Sequence, residues 1–196
     1  MEKINFIKTF IPKGDFNEKY EHGGMIVRHL AAVLDEKMGA YECYECTVPI
    51  GEYDEGEIQK AFDDFSVKMD ALKLEQAKVD KIAEIAAYDT SSSVNGFVLN
   101  GLLVWLDKAT RVGLMNSTTI AKAAGKQTTT LWLGGLKLVV DCDKAIQLLS
   151  ALEMYALECF NVTASHKQAV SELTTIEEVE AYDYKAGYPK MLEMSV

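Results

Sequence analysis

Cys43-Tyr44-Glu45-Cys46 has the spacing by which two thiols share a metal ion or a disulfide-exchange reaction. The surrounding Tyr41–Val48 is rich in aromatic and β-branched residues, which favours a strand. On a strand, side chains three positions apart leave opposite faces, so the two sulfurs diverge. No second cysteine pair with ligand spacing follows. Two ordinary strand cysteines are expected, and Cys142 and Cys159 complete a set of free thiols.

Other residue groups answer to the same kind of test. "AAGKQTTT", Ala123–Thr130, approaches a phosphate-binding loop, but Ile120 stands where the first glycine belongs and Gln127 follows Lys126. Its setting also reads helix then strand, the reverse of what a phosphate loop needs. His22, His29 and His166 are far apart in sequence. Cys159 precedes His166 by two helical turns, roughly 10 Å by helix rise, too far for a nucleophile–base contact. Cys142 with His166 is a remaining combination, without a third orienting group in view. The carboxylates Glu52, Asp54, Glu55, Glu57, Asp63 and Asp64 open a helix, where they complement its dipole. Ser91, Ser92 and Ser93 lack the Gly-x-Ser-x-Gly context of a nucleophile elbow. Their place, between a helical pattern and Asn95-Gly96, reads as a hinge. No residue is assigned as catalytic, cofactor-binding or metal-binding.

The elements that carry these residues follow from periodicity. Ile4–Ile11 alternates like a strand and stops at Pro12 and Gly14. Met25–Leu34 fits either a helix face or a strand, and a hairpin with Ala40–Ile50 is the preferred reading. Ile58, Phe62, Phe65, Met69, Leu72, Gln76, Val79, Ala83 and Ala86 are spaced alternately four and three, over about four heptads. One long helix from Asp54 to Ala87 is predicted, with coiled-coil character. Parallel in-register pairing would set Lys68 against Lys73 and Glu75 against Asp80, which favours an antiparallel or heterotypic partner. Leu148, Leu152, Tyr155, Cys159, Val162, His166, Ala169 and Leu173 supply one within the chain. Leu149, Ala151, Ala156 and Phe160 broaden that second face to the width of a buried core helix, with Asp141 or Asp143 as its cap.

Between the long helices, Asn100-Gly101 and Gly134-Gly135 each separate two apolar runs and signal two-residue hairpins. Trp105 and Trp132 are expected to pack across them. Asp107–Ala124, with Val112, Met115, Ile120 and Ala123, reads as a helix ended by Gly125. A last short helix starts at Thr174 or Thr175, since both fit a capping box with Glu177 or Glu178. "KAGYPKMLEMSV" reads as loop. The expected fold is α+β: an N-terminal β-hairpin, one heptad-patterned helix, then two short β-hairpins packed with a long buried helix. The expected domains are 1–53, 54–87 and 88–196.

Composition narrows the partners. The formal net charge is −10 and the pI about 4.8, with basic residues scattered among carboxylates. Nucleic acid is disfavoured, because its binding rests on clustered Lys and Arg, and so is an anionic membrane surface. Leu102–Leu106 is far short of the about 20 apolar residues of a membrane span. "MEKINFIKTFIPKG" has no signal-peptide core, so a cytoplasmic or virion-associated location is expected.

"YDTSSSVNGF", "WLDKATR", "TTTLWLGG", "DKAIQLLSALEMYALECFNVTASHKQAV" and "LTTIEEVEAYDYKAGYP" give Tyr88 to about Leu192 a further meaning. This half of the chain resembles an uncharacterised domain family of prophage-derived proteins in gut anaerobes and of phage tail-fibre-region proteins. "RHLAAVLDEKMGAYECYECTV" is similar to the leading segment of related proteins. The family carries no assigned activity, ligand or catalytic residue. The resemblance implies a non-enzymatic tail-associated protein working through contacts with itself or a fibre component. The alternatives are a cytoplasmic assembly chaperone for a fibre protein, and a small enzyme.

Overall fold

Strand-forming residues between Ile7 and Pro49 build a four-stranded antiparallel sheet in the computed structural model, which describes residues 4–196. Its strands are β1 (Ile7–Pro12), β2 (Lys19–His22), β3 (Met25–Asp35) and β4 (Ala40–Pro49), in the order β1-β4-β3-β2. The expected β3–β4 hairpin is present, with Met25 opposite Pro49 and Asp35 opposite Ala40. A bulge between Leu30 and Val33, with Ala31 at a φ of 50°, shifts the register once. The single hairpin of the sequence reading is therefore half of this sheet. β2, "KYEH", was not foreseen, because all four of its residues are exposed and no apolar alternation marks it.

The chain divides into two compact units, Met1–Lys73 and Leu74–Val196, and the division falls inside helix α1 (Glu55–Asp89). That is later in the chain than the start of the predicted helix and earlier than the predicted start of the C-terminal module. Asp54 and Glu57 close a reciprocal cap at the start of α1, the Glu57 amide donating to Asp54 Oδ1 at 2.8 Å and the Asp54 amide to Glu57 Oε2 at 2.9 Å. In the first unit, Ile58 and Phe62 are buried with Leu30, Cys46 and Val48. Phe6 packs edge-on against Phe62, with ring centroids 5.3 Å apart.

The second unit uses a different stripe of α1. Leu74, Ala77, Ile82 and Ile85 pack with Val170, Leu173 and Val179. Leu72, Val79, Gln76 and Ala83, which continue the predicted heptad seam, are exposed. The seam stays in register only as far as Met69. A heptad pattern assumes one partner along the whole helix, and α1 has a separate set of neighbours in each unit.

The rest of the second unit is α2 (Ser92–Asn95), β5 (Gly96–Leu99), β6 (Leu102–Trp105), α3 (Lys108–Ala123), β7 (Thr128–Leu133), β8 (Leu136–Asp141), α4 (Cys142–Glu172), α5 (Ile176–Ala181) and β9 (Leu192–Met194). Both expected hairpins form, β5–β6 and β7–β8. Asn100 and Gly101 sit at φ 49° and 81°, and Gly134 and Gly135 at 58° and 89°, the left-handed pair that a type I′ turn demands. Inward residues of both hairpins, Phe97, Leu99, Val104, Leu131, Leu133 and Val140, share a core with Ala145, Leu149 and Leu152 of α4. The fold is α+β, with several small sheets and five helices among the described residues.

Three details of this unit differ from the sequence reading. The tail is not all loop: β9 pairs in parallel with β5, and the Asn100 amide donates to the Met194 carbonyl at 3.0 Å. Three residues are too few to show a period. On α3, Val112 and Ile120 are exposed, while Arg111 and Thr118 are buried and Leu114 and Met115 pack on the core. On α4, Phe160 is exposed, so the apolar face is narrower than expected and Leu149 lies within it.

Of the caps offered by the sequence, Asp141 is in place at the start of α4, and Thr175 with Glu178 forms the capping box of α5. Asp107 caps α3, the helix expected to begin at that residue. Two lysines of α1 serve helix ends at the opposite pole. Lys78 Nζ donates to the Ser171 carbonyl at 3.0 Å and Lys81 Nζ to the Glu180 carbonyl at 3.3 Å, in the last turns of α4 and α5.

Thr118 is fully buried and, among the described residues, its hydroxyl finds no hydrogen-bond partner. An unmatched buried hydroxyl carries a desolvation cost of about 1–3 kcal/mol. Thr118→Val, with nearly the same shape, is expected to raise unfolding free energy by about 1 kcal/mol in urea titration. A loss of stability would place a partner on that hydroxyl.

Candidate functional site

α2 is a single turn, yet it is held by side-chain hydrogen bonds at its start and through Val94. Ser91 caps it, its hydroxyl donating to the Tyr88 carbonyl at 2.7 Å and accepting from the Ser93 amide at 3.2 Å. Val94 is buried, and its carbonyl accepts two bonds from α4: Tyr155 O–H at 2.7 Å and Cys159 S–H at 3.3 Å. Just before the turn, Asp89 Oδ1 accepts from the Thr163 hydroxyl at 2.7 Å. Just after it, a Cβ on Gly96 would stand 2.2 Å from the Ser92 carbonyl, so only glycine fits. The segment expected as a hinge is a docked turn. Serine, threonine and asparagine mark both kinds of turn equally.

Docking α2 on α4 sets one wall of a cleft of about 550 Å³ in the second unit. Asp89, Thr90 and Asn95 stand at one end, with Asn95 Nδ2 donating to the Asp89 carbonyl at 2.5 Å. Trp105, at the end of β6, and the first turn of α3 form one side. Glu153, Ala156, Leu157 and Phe160 of α4 form the other.

Arg111, only 8% exposed, ties the two sides together. Its Nε donates to Glu153 Oε1 at 2.9 Å and its Nη1 to the Leu106 carbonyl at 2.7 Å. Asp107 accepts from the Thr110 amide at 2.8 Å and from the Thr110 hydroxyl at 2.6 Å. Those bonds, the hydroxyl first, hold its carboxyl below the usual range. The polar groups of the cleft thus mostly serve the fold. Beside the exposed Thr90, Asp107 and Lys108, the cleft shows three large apolar side chains to solvent: Trp105 is 40% exposed, Leu157 50% and Phe160 59%. Sequence reasoning took Trp105 for sheet packing and Phe160 for core. The signal that could have separated them is the Trp105-Leu106-Asp107 junction, where a strand ends at a cap and the indole is left at the rim.

The other sequence candidates lie elsewhere. Cys43 and Cys46 are both buried on β4, and the four cysteines are free. Cys46 lies in the core beneath α1 while Cys43 faces away from it, as strand alternation requires. Burial raises both thiols. His29 is buried in the first unit between the Asn17 carbonyl and Glu45, and His22 is exposed on β2. His166 bonds the Tyr182 hydroxyl at 2.8 Å and the Ala186 carbonyl at 2.9 Å, fixing the chain that follows α5. Cys142 Sγ donates to the Lys126 carbonyl at 3.4 Å. The structure brings no two of these cysteines and histidines into hydrogen-bond contact. Trp132 is exposed on the outer face of β7, with Lys137 Nζ 5.9 Å from its ring centroid. Among the described residues, no helix is long and apolar enough to cross a membrane.

With the second unit described, comparison with known proteins takes a simple form. The model of DUF4376, a domain of unknown function, matches residues 76–186, more than half of the chain. The chain belongs to the DUF4376 family. No curated protein and no solved structure shows a match. The DUF4376 match begins inside α1, close to the point where the second unit begins. It therefore takes in Ala77, Ile82 and Ile85 of the α1 stripe that packs on α4 and α5, all of α2, and every residue lining the cleft.

Burial pushes the Tyr155 phenol from 10 up to about 12. The neutral phenol, which donates to Val94, is what the fold holds. Its contribution is complete below pH 10 and is lost as pH climbs to about 12, because the unfolded chain ionises first. Tyr155→Phe is expected to cost about 1–2 kcal/mol in urea unfolding at pH 7. It should also make the fall in stability between those two pH values shallower. Equal stability and an unchanged alkaline limb would remove Tyr155 from its anchoring role.

Proposed function

We propose that this DUF4376 protein is a non-enzymatic, phage- or prophage-tail-associated protein that works by docking a partner protein on the α3–α4 cleft. The observation that carries the reading is the grouping of three large exposed side chains, Trp105, Leu157 and Phe160, around a cleft spanned by the Arg111–Glu153 ion pair. Exposed apolar surface of this kind rimmed by polar residues is characteristic of interaction sites. The tail setting rests on the resemblance of the stretch from Tyr88 to Leu192. The partner is a tail or fibre component in preference to a second copy, since two chains of net charge −10 repel.

Co-sedimentation with purified tails, together with mass by light scattering, tests this reading. The full chain is expected to be monomeric alone and to pellet with tails. Phe160→Glu, on an exposed helical position, is expected to keep its unfolding midpoint and to lose at least ten-fold in tail binding. Failure to pellet, or a concentration-dependent dimer abolished by the same substitution, would refute the reading.

A further inference from the structure

Asp89, Asp107 and Glu153 line the α3–α4 cleft against two cations, Lys108 and Arg111. Glu153 and Arg111 neutralise each other at 2.9 Å. Asp107 and Asp89 are held by neutral donors, Thr110 and Thr163, which fix the carboxylates in place without cancelling their charge. Lys108, on the exposed first position of α3, is the remaining cation. The exposed Asp107 and the half-buried Asp89 therefore line the cleft with one exposed ammonium, in the company of Trp105 and Phe160.

That combination discriminates among side chains. A carboxylate entering the cleft meets two like charges. A purely apolar group covers Asp89 and Asp107 and gives nothing back for their lost hydration. A lysine or arginine lays its apolar stem along Trp105, Leu157 and Phe160 and sets its cation against an aromatic face and a carboxylate. We infer that the cleft takes a lysine or arginine side chain of the partner protein, flanked by apolar residues. This inference rests on the docking reading above and adds the chemistry of the occupant.

The probe is the full chain carrying Trp132→Phe, which leaves Trp105 as the one indole. Trp132 is 59% exposed and outside the cleft, so its replacement spares the site. Three blocked pentapeptides, Ala-Leu-Arg-Leu-Ala and its norleucine and Glu counterparts, are titrated against Trp105 fluorescence. The arginine peptide is expected to give a saturable change, and the other two at least ten-fold weaker binding. Asp107→Asn, which keeps a good helix cap, is expected to reduce the preference for arginine at least three-fold, and so is Asp89→Asn. Equal binding of the norleucine peptide would overturn the charge selection while leaving docking intact. No response of Trp105 to any peptide would overturn the inference, and the tail sedimentation then judges docking separately. Preference unchanged in both Asn variants would also overturn it.

Discussion

The carbonyl of Val94 accepts from a phenol and a thiol one turn apart on α4, and the arrangement of the cleft depends on that double contact. Chain leaving a long helix must reverse before it can enter a sheet, and a free reversal would leave β5 and β6 unplaced. Here the turn is pinned between Asp89, bonded to Thr163, and Gly96, which alone allows the Ser92 carbonyl to come so close. β5 and β6 then reach the core shared with α4, and β6 delivers Trp105 to the cleft. Arg111 completes the frame from the other side by reaching Glu153.

Local chemistry was readable where a residue type decides its own conformation. Asn100-Gly101 and Gly134-Gly135 announced hairpins because few other residues accept positive φ at both positions. Asp141 and Thr175 were legible as helix starts because their side chains replace missing backbone partners. Strand alternation around Cys43 and Cys46 was enough to separate their sulfurs. What could not be read was set by partners distant in sequence. β2 and β9 exist because β3 and β5 offer free edges, not because of any pattern of their own.

The same division holds for α1 and for the cleft. A four-three pattern from Ile58 to Ala86 continues in the sequence, but the neighbours change between Met69 and Leu74, and burial follows the neighbours. Leu72 and Val79 consequently keep the seam's spacing without its burial. The cleft residues were all visible as types, yet Phe160 sits on a helix with buried neighbours one, five and eight residues before it, Cys159, Tyr155 and Leu152. Only the position of α3, set by Arg111 and the Asp107 cap, decides that Phe160 lines a cleft instead of a core. A function based on contact surfaces leaves few marks in sequence, because exposed and buried apolar residues are written alike.

Amide hydrogen exchange across Ser91–Gly96, in the full chain, tests most directly whether the turn is anchored. The docked turn predicts that the Val94 and Asn95 amides, which bond the Ser91 carbonyl at 3.3 and 3.2 Å, exchange as slowly as the neighbouring core amides of α4. Exchange there at the rate of an open loop, with α4 protected, would mean that the turn swings free and that the cleft has no fixed wall.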